Sequence, residues 1–128
     1  SSDSNFESDL INSYAWDTAI VFLQKFDNRT NKASLKPYSQ QNSLNTGSLA
    51  SQGTNNLSDG SKQDVICNVW DMASNCEEWT TETCSDSDSP WTYRGGRYNY
   101  SFCYTSTRSS SSTSVSYEYV SFRSLLYM

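Results

Sequence analysis

The chain has 128 residues, the size of one domain, and can bury roughly two-thirds of its unfolded surface. Hydrophobic residues make up 35% and aromatics 14% of it, so a modest core must rely on large rings that each bury much area. A net charge of −5 argues against a phosphate-tracking surface, so neither nucleic acid nor an anionic membrane is an expected partner, and the absence of histidine excludes Ser-His-Asp and Cys-His hydrolases and His-ligated zinc or iron.

Residues 1–9 are polar and read as a loose arm. Leu10, Ile11, Tyr14, Ala15, Ala19, Phe22, Leu23 and Phe26 then recur at three- and four-residue steps, which predicts an amphipathic helix over 13–26. Asn12 or Ser13 can cap it, and Asp17 suits the positive end of its dipole. From 27 to 63 Asn, Ser, Gln, Thr, Gly and Lys dominate, and Leu35, Tyr38, Leu44, Leu49 and Leu57 are too sparse for a periodic element. This is a polar insertion or loop, lying over the surface or hiding short strands.

Apolar residues return at Val65, Ile66, Val69, Trp70, Met72 and Trp79, as short strands and turns, with Trp79 as a core aromatic. Cys84 to Pro90 is an acidic turn-rich loop in which Asp86 and Asp88 are either solvated or two oxygen ligands for calcium. Trp91 to Tyr104 alternates aromatic with polar or small residues around Gly95 and Gly96, the pattern of a strand pair or bulged strand. Arg108 to Ser116 is nearly all Ser and Thr and reads as a loop before a packed final strand holding Tyr117, Tyr119, Phe122, Leu125, Leu126 and Tyr127.

None of the spacings among Cys67, Cys76, Cys84 and Cys103 is C-x-x-C, so neither a zinc ribbon nor a thioredoxin-like motif is expected. Cys67 and Cys76 are close enough to pair across a turn or between neighbouring strands, which would suit an oxidising compartment. Buried free thiols are the alternative. No apolar run approaches the ~20 residues of a membrane span and no charged-then-apolar leader precedes Ser1. The segment is therefore expected to be soluble, with no membrane insertion of its own, and its Ser start to mark a processed or trimmed end.

The stretch after Gly96 has a binding-face composition. Tyr93, Arg97, Tyr98, Asn99, Tyr100, Ser101, Phe102, Cys103, Tyr104, Ser109, Ser110, Ser111, Ser112 and Tyr117 combine amphipathic aromatics for contact area with small polar groups for adaptable hydrogen bonds, the palette of antibody loops. Some of these, Tyr98 and Tyr104 in particular, would alternate inward in a strand. For Asp71, Asn75, Glu78, Arg94, Arg108 and Arg123 the expected role is to satisfy turns and one another inside the fold. No residue is assigned a catalytic role, and no cofactor or metal is expected.

Three phrases, D-M-A-S-N-C-E-E-W-T at Asp71 to Thr80, R-G-G at Arg94 to Gly96 and S-F-R-S-L-L at Ser121 to Leu126, resemble in order and spacing the C-terminal half of the formylglycine-generating-enzyme (sulfatase-modifying factor) family. The helix with Trp16 and Asp17 is similar to that family's upstream helix. The resemblance covers Ile11 to Met128 apart from 27–63, and implies an α+β, C-type-lectin-like domain over 1–128 with short antiparallel strands, one or two helices and much irregular loop. The family's copper-binding cysteine pair after R-G-G is not matched, because only Cys103 follows Gly96. Ser74 stands where the family's first phrase has Gly, which puts that turn's backbone angle in question.

The chain is more similar to the variable proteins of diversity-generating retroelements, which share that fold and are randomised at adenines of Asn codons. Such codons cannot specify Lys, Gln, Glu, Met or Trp, and none of those five occurs from Tyr93 to Tyr117. The resemblance implies a non-catalytic display domain on a bacterial surface, secreted, or on a phage particle. Its region 93–120 would be the variable one, binding a protein or cell-surface ligand. The alternatives are a copper oxidase relative using Cys103 with Cys84, and a purely structural surface-decoration domain.

Overall fold

The computed structural model describes residues 7–27, 37–42, 47–51, 53–54, 56–57, 64–112 and 114–127. The chain is mixed α+β, with one α-helix and short strands in small sheets among the described residues. Strand β1 (Glu7–Leu10) pairs antiparallel with the last strand, β8 (Ser124–Tyr127), and so joins the two ends of the chain. Residues 7–9, expected in a loose arm, are therefore in a strand; residues 1–6 lie outside the described residues. The helix α1 (Ser13–Phe26) follows at its predicted place, capped by Asn12, whose side chain accepts from the Ala15 amide at 2.8 Å.

The buried stripe of α1 differs from the predicted one. Trp16, Ile20 and Leu23 face inward, while Tyr14, Phe22 and Phe26 are exposed, Tyr14 at 87%. Trp16 fixes this rotation. Its ring is fully buried and its indole N–H donates to the Thr105 carbonyl at 3.0 Å, a bond available from only one orientation of the helix.

The core joins that stripe and Ile11 to Tyr38, Leu57, Ile66, Met72 and Ala73. Part of the polar stretch 27–63 is thus interior. Tyr38, in a single 3-10 turn (Tyr38–Gln40), and Leu57 are buried, as are Gln41 and Asn42. Leu35 and Leu44 lie outside the described residues.

A two-stranded ribbon, β2 (Val65–Ile66) with β3 (Val69–Trp70), leads into the main sheet. The sheet comprises β4 (Glu77–Thr83), β5 (Trp91–Arg94), β6 (Arg108–Ser111) and β7 (Val120–Phe122), in the order β6-β5-β4-β7, with β7 parallel to β4. Arg108 to Ser111, expected in a loop, is an edge strand because each residue opposes one of β5 in an unbroken antiparallel register. Serine is no strand former by propensity, and pairing overrides it.

The turns before β4 are built on residues with left-handed backbone, Asp71 (φ 58) and Asn75 (φ 66) among them. Ser74 carries no such angle; its hydroxyl donates to Asp64 at 2.8 Å. Gly95 does require glycine. Its φ is +94, and a Cβ there would stand 2.8 Å from the Met72 carbonyl oxygen and against the Trp16 ring. The expected ion pairs form. Arg94 donates to Asp17 at 2.5 Å, and Arg123 donates twice to Glu78 and once to the Trp70 carbonyl.

The expected Cys67–Cys76 bridge is not formed, and all four cysteines are free thiols. The Cys67 thiol donates to the Phe26 carbonyl at the end of α1, whereas Cys76 is hydrogen-bonded to Ser121. Each sulfur is committed to a different element. Among the described residues no helix is long and apolar enough to cross a membrane.

Candidate functional site

The loop from Gly96 to Thr107 is held from below by residues outside the predicted binding stretch. Gly96 packs against the Ala73 carbonyl, and the Tyr98 amide donates to the Asn75 carbonyl at 2.9 Å. Asn42 donates to the Ser101 carbonyl. Thr105 and Ser106 donate through both amide and hydroxyl to the carbonyls of Gln41 and Ser39. At Tyr98 and Ser101 the loop contributes only main-chain groups to these bonds, so its side chains there are under little demand, whereas at Thr105 and Ser106 the hydroxyls take part as well.

On that support the side chains separate into two sets. Tyr98 is only 5% exposed and its hydroxyl donates to Glu118 at 3.1 Å. Cys103 is buried, its thiol hydrogen-bonded to Glu77 and pushed up to about 12 by burial and by that carboxylate. Ser111 is buried too. These three, expected on the binding face, belong to the interior. Tyr100, Phe102 and Tyr104 are exposed, Phe102 at 71%. Ser109 is also exposed, while Ser110, Ser112 and Tyr117 are half-buried.

The exposed set centres on Arg97. Its guanidinium lies 4.0 Å from the Tyr119 ring centroid and 5.1 Å from that of Tyr100, within cation–π range of both. Phe102 continues the row beyond Tyr100 at 5.5 Å, and Tyr117 stacks on Tyr119 at 5.1 Å with 23° between the planes. The sequence Phe102, Tyr100, Arg97, Tyr119, Tyr117 is therefore one strip of aromatics threaded by a single cation. Asn99 and Ser101, both half-buried, are the turn residues between its members.

Beneath the strip lies Glu77, 1% exposed, which accepts from Arg97 at 3.3 Å and from Cys103. Burial raises the Glu77 carboxyl above its usual range, against the pull of Cys103 and Arg97. Burial works against the Arg97 charge, but Glu77 and Tyr119 outweigh it and hold Arg97 above its ordinary value. One buried carboxylate thus fixes the cation at the centre of the strip.

Tyr93 sits on β5 beside this strip. It meets Trp79 edge-on at 5.4 Å and is hydrogen-bonded to Ser109. Trp79, expected in the core, is half-buried and lies outside the core cluster, because its β4 position points to the face of the sheet away from α1. Asp86 uses its carboxylate within its own turn, accepting from the Asp88 and Ser89 amides. Among the described residues no cluster of acidic or thiol side chains is arranged to hold a metal.

Sequence reasoning missed Tyr119, Glu77 and Glu118 as parts of this site. Tyr119 stands two residues after Tyr117, the period that places both on one side of an extended chain, and that signal was readable. No local pattern marks Glu77 as the partner of a residue twenty positions on. No protein-family model matches the chain, and no curated protein or solved structure matches it either.

Proposed function

We propose that this protein is a non-catalytic ligand-binding display domain of C-type-lectin-like fold, the variable protein of a diversity-generating retroelement, exposed on a bacterial surface, secreted, or carried on a phage particle. The observation that carries the reading is the strip from Phe102 to Tyr117, with Phe102 and Tyr100 exposed at one end and its buried Glu77 anchor beneath. Rigid tyrosines around one arginine are the residues that dominate protein-binding surfaces. The loop beneath them is held by main-chain carbonyls and by glycines, so the side chains of the strip can change while their support stays. Separation of scaffold from contact residues is what a diversified receptor requires.

The thiol chemistry supports a binding domain over a copper oxidase. A copper site needs further soft ligands beside Cys103, whereas Cys103 is hydrogen-bonded to the buried Glu77 and no group of acidic or thiol side chains among the described residues is placed to hold a metal. The ligand is then a protein or cell-surface group met by a broad aromatic face.

Sequencing this locus across many cells of the source population tests the proposal. Adenine-directed variation is expected within the codons of 93–120, concentrated at Arg97, Tyr100, Phe102, Tyr104, Ser109 and Tyr117 and sparing Gly95 and Gly96. An invariant stretch, or variation spread evenly along the gene, overturns it.

A further inference from the structure

A cavity of about 400 Å³ lies between the start of α1 and the main sheet, and its lining includes Ser13, Tyr14 and Asp17 from the helix, Glu82 from β4, Arg94 from β5 and Arg108 from β6. Arg94 and Arg108 are direct register partners. Two guanidinium groups therefore project from one face of the sheet, an opposition that costs stability unless something offsets it. Part of the offset comes from β4. Trp79 opposes Tyr93 and Thr83 opposes Trp91, so three residues of β4 face one of β5, and this bulge brings Glu82 into the lining. There Glu82 pairs with Arg108 and accepts from the Ser13 hydroxyl, while Asp17 accepts from Arg94 Nη2 at 2.5 Å. The two arginines are thus balanced by two carboxylates. Arg94 and its neighbour Tyr93, which flanks the aromatic strip, point to opposite faces of the sheet.

These ion pairs leave particular atoms unused. Arg94 is 5% exposed, and it donates through Nε to the Thr107 carbonyl and through Nη2 to Asp17. Its Nη1 has no partner among the described residues and is not sealed from solvent, so a nearly buried guanidinium offers free N–H groups to the cavity it lines. Arg108, 58% exposed, is paired through Nη2 alone. The second oxygen of Asp17, Oδ2, accepts nothing among the described residues.

We infer that this cavity binds a free, zwitterionic α-amino acid, its carboxylate on the open N–H groups of Arg94 and Arg108 and its ammonium group on Asp17 Oδ2. Charge decides the class. A lone anion would meet Asp17 and Glu82, and a lone cation would meet both arginines, whereas a ligand with both signs is neutral overall, as the set around it is. Guanidinium groups are the donors best matched to a carboxylate. Tyr14, 87% exposed and part of the lining, gives a ring face to an apolar side chain of the amino acid. No residue of the aromatic strip takes part, so the inference stands apart from the proposed function.

The test titrates the purified chain with free L-leucine and follows its amide resonances in two-dimensional NMR. Two analogues accompany it: isocaproate, which is leucine without its ammonium group, and isoamylamine, which is leucine without its carboxylate. The expected result is a saturable shift at Tyr14, Asp17 and Arg108 with leucine, and binding of each analogue weaker by about tenfold or more. Arg108→Gln and Asp17→Asn, both at exposed side chains, are each expected to weaken leucine about tenfold. Absence of a saturable shift, shifts confined to the aromatic strip, or unaltered affinity in either folded variant overturns the inference. Equal affinity for isocaproate also overturns it, because the cavity would then be a simple anion site. The analogue titrations need no variant, so they decide the matter even where a substitution prevents folding.

Discussion

The segment from Asp64 to Glu78 and the strip from Arg97 to Tyr119 lie against each other and are stabilised in opposite ways. In the first, carboxylates are buried and fully used. Asp64 accepts from the Tyr38 hydroxyl, the Ala73 amide and the Ser74 hydroxyl within 2.8 Å, and Asp71 accepts from the Gly53 amide at 2.9 Å. Cys67, Asn68, Asp71 and Asn75 all adopt left-handed backbone, a cost sustained only where the surroundings dictate it. In the second, rings stack on rings at the surface around one cation. The first region specifies a backbone and tolerates little change; the second specifies a surface and depends on the first for its shape.

The strongest way to break that comparison is at Asp64. Asp64→Ala strands three buried donors, each worth about 1–3 kcal/mol, which together reach the ~5 kcal/mol lower margin of a small domain. We expect loss of the cooperative melt followed by circular dichroism. Gly95→Ala comes next, with a left-handed angle and a clash at the Met72 carbonyl. It should cost about 1–3 kcal/mol, read as a lowered urea midpoint with unchanged slope.

Acidity sharpens the contrast further. Burial raises the carboxyls of Asp64, Asp71, Glu77 and Glu78 above their ordinary range. Between that range and the raised values the folded chain holds more protons than the unfolded one, so stability is full below the ordinary range and is lost as pH rises through the raised values. The melting temperature at about pH 5 should exceed that at about pH 7.5 by a few degrees. A decrease on acidification would show that the surface ion pairs dominate instead. The smallest effect belongs to the strip. Tyr100→Ala with Phe102→Ala should shift stability by no more than about 0.5 kcal/mol and abolish ligand binding, and a large loss of stability would place those rings in the core.

The legible parts of the fold were those with local signals. Asn12, the 3.6-residue period and the bounds of α1 follow from chain-neighbour chemistry, and Gly95 and Gly96 announced a close approach that the Met72 and Ala73 carbonyls make. Less legible was which way a repeated pattern would face. The helix has apolar residues on two sides, and burial of Trp16 selected one of them. Likewise Tyr98 and Tyr104 were the two expected to turn inward, yet only Tyr98 is buried, its hydroxyl donating to Glu118, while Tyr104 is exposed with Tyr100 and Phe102.

By itself the sequence determined the absence of histidine chemistry, the helix and its cap, the two-glycine approach and the aromatic-serine composition of the stretch after it, because each is a property of residues close in the chain. The tertiary structure alone decided that serines form an edge strand, that Tyr38 and Leu57 join the core, and that Glu77 lies beneath Arg97. Those outcomes depend on partners distant in sequence, and the energy of a buried contact belongs to the pair.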